Sequence, residues 1–60
     1  MKLYQKYTKG QLDTVEIDDD GITARVKTGG KSYTHKFGSA DATEDYLKKL
    51  KTLGFRKVGK

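Results

Sequence analysis

Inward and outward side chains alternate over 22–27 and 32–37, the two arms that flank Gly29-Gly30. With these glycines as the central residues of a tight turn, Thr28 faces Lys31, Lys27 faces Ser32, Val26 faces Tyr33, Arg25 faces Thr34, Ala24 faces His35 and Ile22 faces Phe37. One face of the hairpin then carries Ile22, Ala24, Val26, Tyr33, His35 and Phe37. The other carries Thr23, Arg25, Lys27, Ser32, Thr34 and Lys36, and is polar and positive. Alternation in register on two arms predicts strands over 22–27 and 32–37.

Two further strands are predicted over 3–7 and 12–17, joined by Thr8-Lys9-Gly10-Gln11. Two registers fit this first hairpin. A two-residue Lys9-Gly10 turn sets Tyr4 opposite Val15 and Tyr7 beside Leu12, whereas a longer loop turns Leu3, Gln5 and Tyr7 to the inner face. Asp18-Asp19-Asp20-Gly21 then links Ile17 to Ile22, with carboxylates able to accept from the turn's own amides. The product is a four-stranded antiparallel meander with one apolar face, which needs a cover.

The cover is a helix predicted over 40–53, where the spacing becomes helical and Ala42, Tyr46, Leu47, Leu50 and Leu53 form a stripe. Ser39 or Asp41 caps its start, and Asp41 with Glu44 has the spacing of a capping box. Acids Asp41, Glu44 and Asp45 stand at the positive end of the helix dipole, and Lys48, Lys49 and Lys51 towards the negative end. Gly54 is the expected left-handed stop, with Phe55 folding back on Leu50. Residues 56–60 read as a basic tail or a short last strand. The fold class is α+β, in the order ββββα, as one domain over 1–60 without repeats or linkers.

A 60-residue chain buries only about 60% of the surface its unfolded form exposes, so the core is small. With 33% hydrophobic residues in regular spacing the chain has enough apolar positions to fold. There is no cysteine to form a disulfide or thiolate metal site. No apolar run exceeds two residues, and Met1-Lys2-Leu3-Tyr4 lacks the apolar stretch of a signal peptide. The expectation is a soluble, cytoplasmic protein that begins at its own methionine.

Charge sharpens this picture. The formal net charge is +5, and its three thirds carry −2, +4 and +3 in chain order. The positive field over the second hairpin and the C-terminal segment attracts polyanions. Arg25, Lys27 and Lys36 on the polar face, with Lys31 at the turn, are the candidate phosphate contacts, and Thr23, Ser32 and Thr34 offer hydroxyl donors beside them. A second basic stretch holds Lys48, Lys49, Lys51, Arg56, Lys57 and Lys60. Glu44 stands four residues before Lys48 and Asp45 four before Lys49, an arrangement that supports the helix itself, so Lys51, Arg56, Lys57 and Lys60 are the freer charges. The plainer alternative is a solvated sheet face whose lysines discourage edge-to-edge association.

Other chemistry is not expected. Asp18, Asp19 and Asp20 lack the alternate spacing and distal glutamate of a calcium loop and read as turn residues, and no metal or cofactor is predicted. His35, the one histidine, reads as a core residue between Tyr33 and Phe37; without a base or orienting group it makes no catalytic site, and no enzyme is predicted. Gly29-Gly30-Lys31-Ser32 lacks the earlier glycine and following helix of a phosphate-binding loop. Tyr33 and Phe37 fall to the core by parity, leaving Tyr4 or Tyr7, whichever points outward, as a stacking platform for bases.

Gly30-Lys31-Ser32-Tyr33-Thr34-His35-Lys36-Phe37-Gly38-Ser39-Ala40, followed by Tyr46-Leu47-Lys48-Lys49-Leu50 and Gly54-Phe55, resembles the second half of a WGR domain. The chain has no tryptophan, and Ala24-Arg25-Val26 stands where the Trp-Gly-Arg motif would fall. The resemblance implies a small sheet packed by one helix, contact with DNA, and Arg25 as the one counterpart carried over. The expected partner is nucleic acid, DNA rather than RNA, bound mainly through phosphates. The alternative is a larger protein, docked by a phage- or plasmid-type regulator through a sheet edge or the aromatic patch, and a third reading is a stability domain without a ligand. No membrane and no small-molecule substrate is expected, and the chain is expected to be a monomer or weak dimer.

Overall fold

The computed structural model describes residues 2–58. The strands are β1 (Lys2–Thr8), β2 (Gln11–Ile17), β3 (Thr23–Thr28) and β4 (Lys31–Lys36), followed by α1 (Ala40–Thr52) and β5 (Arg56–Val58). All pairings are antiparallel, in the order β4-β3-β2-β1-β5. The meander is the one its alternation predicts. The chain then crosses the sheet as α1 and returns on the far side of β1 as β5, so the segment after the helix is a strand over 56–58; Gly59 and Lys60 of the expected tail lie outside the described residues.

Both tight turns have two central residues in the left-handed region: Lys9 and Gly10 at φ 50° and 79°, Gly29 and Gly30 at φ 58° and 77°. Such turns follow the twist of the strands they join. Their consequence is register: Tyr4 faces Val15 and Tyr7 faces Leu12 in the first hairpin, and Val26 faces Tyr33 in the second. Between them, Asp20 holds the 18–21 turn by accepting from the amides of Ile22 (2.9 Å) and Thr23 (3.0 Å) and the Thr23 hydroxyl (2.6 Å).

The helix starts at Ser39, whose Oγ accepts from the Ala42 amide (3.2 Å). It stops at Gly54, φ 101°, where Phe55 N–H donates to the Leu50 carbonyl (2.9 Å) and Gly54 N–H to that of Lys51 (3.2 Å). Its buried side chains are Thr43, Leu47 and Leu50, packed over Tyr4, Val15, Ile17, Ala24 and Val26. Thr43 is tolerated there because its hydroxyl donates to the Ser39 carbonyl (3.2 Å). Leu53, expected in the stripe, is 58% exposed. The buried line at 43, 47 and 50 continues one helical step on to Gly54, where the chain turns away.

A second correction concerns β4. Tyr33 and His35 lie on the helix side as parity requires, yet neither is core: Tyr33 is 58% exposed and His35 is exposed. A helix about 10–12 Å across covers two to three strands spaced about 4.8 Å apart. Its buried contacts reach β1, β2 and β3, and β4 overhangs as a free edge, with only Phe37 beyond it half-buried against the cluster.

Candidate nucleic-acid interface

The sheet face opposite the helix is open, and the registers lay it out in rows. One row crosses all five strands as Ser32, Lys27, Thr14, Gln5 and Arg56, and the next runs Thr34, Arg25, Glu16, Leu3 and Val58. Both two-residue turns lie at the same end of the sheet. There Tyr7 and Leu12, paired across β1 and β2, face solvent with Tyr7 71% exposed.

Beside that pair is a shallow depression of about 460 Å³ lined by Gln11, Leu12, Lys27, Lys31, Ser32 and the Thr28–Gly30 backbone. No carboxylate lines it. A Cβ on Gly29 would stand 3.2 Å from Nε2 of the exposed Gln11, at the end of a flexible side chain, so it is the φ of 58° that favours glycine here. Thr28 is held from below, its hydroxyl donating to Asp13 Oδ1 (2.8 Å). Two lysines, a serine and a glutamine thus line the site, and Tyr7 stands one strand beyond it, opposite Leu12.

The predicted basic residues do not act as one patch. Lys27 and Lys31 meet at the depression, and Arg56 shares the Lys27 row at the opposite edge of the sheet. Arg25 is already engaged: it lies opposite Glu16 and reaches Glu16 Oε1 at 3.3 Å and Asp18 Oδ2 at 3.0 Å. Two carboxylates on one guanidinium leave that part of the face without surplus positive charge. Lys36, at the other end of β4, lies near enough to Asp20 to favour its ionised form. Asp20's carboxyl is held below its ordinary range, chiefly by the Thr23 hydroxyl and the Ile22 amide. Lys51 sits on the helix and Lys57 opposite Tyr4, both on the far side of the sheet from Lys27.

Among the described residues, Glu44 meets Lys2 (3.8 Å), from β1, and not the expected Lys48. Tyr4 is core and Tyr7 is the outward ring, which settles the choice the two registers left open. Gln11 and Leu12 were not legible as site residues; the signal for them was the Lys9-Gly10 turn, which fixes Leu12 opposite Tyr7. No helix among the described residues is long and apolar enough to cross a membrane. Comparison with protein families, with characterised proteins and with solved structures finds no match to this chain.

Proposed function

We propose that this protein is a small, non-enzymatic nucleic-acid-binding module of the cytoplasm that holds a single strand against its open sheet face. The observation that carries this reading is the depression lined by Lys27 and Lys31 and by no carboxylate, with the exposed Tyr7 one strand beyond it, opposite Leu12. Lys27 and Lys31 neutralise phosphates, Ser32 and Gln11 donate to phosphate or sugar oxygens, and Tyr7 stacks a base. Arg56 extends the track along the Lys27 row, three strand spacings or about 14 Å away. A broad sheet face with one ring and few fixed donors favours backbone contact over base readout. The WGR-like half of the chain belongs to the same reading, with DNA as the preferred polymer.

Affinity for a single-stranded DNA oligomer, the matching RNA and the DNA duplex at several salt concentrations tests this. Three phosphate contacts on a single strand give a slope of log affinity against log salt of about −2. A flat salt response, or no binding to any of the three, overturns the proposal.

A further inference from the structure

A second surface runs along the edge of β4, which meets the depression at Lys31 and Ser32. All six residues of this strand are exposed, and β4 ends the sheet. Phe37 N–H donates to the Ile22 carbonyl at 2.7 Å, which identifies the hydrogen-bonded positions of the hairpin. Alternation along the ladder gives Tyr33 and His35 the same status, so the N–H and C=O groups of Ser32, Thr34 and Lys36 point away from β3 into solvent. These are the groups an added strand would pair with.

On the helix side of this edge is a cleft of about 180 Å³ floored by Val26 and walled by Tyr33, His35, Phe37 and Tyr46. His35 and Phe37 meet edge to face with centroids 4.5 Å apart, and Phe37 and Tyr46 lie 5.1 Å apart. The Tyr46 hydroxyl is pushed above its ordinary pKa by burial and then by the neighbouring Tyr33. The cleft exists because the helix stops short of β4. A strand laid along that edge would direct alternate side chains towards it.

We propose that β4 accepts an extended, acidic segment of a partner protein by strand addition, with one apolar side chain of that segment in the Tyr33–Tyr46 cleft. Charge selects the occupant. Lys31 and Lys36 stand at the two ends of β4, about 17 Å apart, and the strand holds no carboxylate. Pairing β4 with the same strand of a second copy would gather four lysines and no acid on one ribbon, and like charges on neighbouring strands oppose pairing. An acidic segment reverses that term and satisfies the open backbone groups.

The test is an amide chemical-shift titration of the whole protein with the blocked peptide Glu-Phe-Thr-Val-Thr-Glu and its counterpart carrying lysine at both ends. The acidic peptide should move the Ser32, Thr34 and Lys36 amides and the Tyr33 and Phe37 ring signals, and bind about tenfold more tightly than the basic one. Thr34→Pro removes an outward N–H without touching the β3–β4 ladder and should abolish binding while the β1 and β2 signals stay in place. Should that variant fail to fold, Lys31→Glu with Lys36→Glu is decisive, since it should reverse the preference between the two peptides. Absence of shifts at millimolar peptide, shifts confined to Tyr7 and Lys27, or equal binding of both peptides overturns the proposal.

Discussion

Arg25 and Glu16 stand directly opposite one another across β2 and β3, and the same guanidinium continues to Asp18, so one cation bridges two carboxylates on the open face. All three side chains are partly exposed, and surface pairs of this kind contribute about 0–1 kcal/mol each. Arg25→Gln should therefore cost up to about 1–2 kcal/mol of stability in a denaturant titration. Lys27→Gln should leave stability unchanged but weaken oligonucleotide binding and bring the salt slope about one phosphate contact closer to zero. If Arg25→Gln has the larger effect on binding, the assignment of the two residues is reversed.

Tyr7 supplies ring area to solvent and little to the core. Tyr7→Ala should shift folding stability by no more than about 0.5 kcal/mol. It should remove about 1–3 kcal/mol of single-strand affinity, the contribution of one stacked base. Tyr7→Phe keeps the ring and should bind like the parent. Equal affinity of the alanine and phenylalanine variants would show that no base stacks here.

Leu50 and Leu53 are three residues apart on one helix, yet Leu50 is 3% exposed and Leu53 58%. Leu50→Ala should destabilise by about 2–5 kcal/mol, enough to threaten folding of so small a core. Leu53→Ala should stay within about 0.5 kcal/mol. Thermal melts of the pair check the placement of the helix, and comparable losses at both positions would contradict it.

Asp20 gives the acid side of the stability profile a definite sign. Its carboxylate is favoured in the folded state by the Thr23 hydroxyl and then by the Ile22 amide, so its folded pKa lies below the unfolded value of 3.8. The stability it contributes is present above that unfolded value and is lost as pH falls through the lowered folded one. Asp20→Asn should thus lower the denaturation midpoint near neutrality and flatten its decline as the pH falls below the unfolded value of 3.8. Parallel curves for the two proteins would mean that the turn does not depend on the carboxylate's charge.

What the sequence determines by itself is local. Two glycines in succession permit a turn that pins the β3–β4 register residue by residue, because a slip by one would exchange the faces. The helix and its Gly54 stop are equally local, since each satisfies backbone groups a few residues away, whereas the choice of Ser39 over Asp41 as its cap came from the structure. The first hairpin was less legible because its turn needs Lys9, a residue with a Cβ, at φ 50°. The tertiary structure alone decided which inward side chains are covered and which cations are free. Parity places Tyr33 and His35 beneath a helix without saying how far it reaches, and it places Arg25 on the open face without naming the neighbours it meets there. Both depend on distances across the sheet, where Glu16 comes next to Arg25 from nine positions away and the helix width runs out before β4.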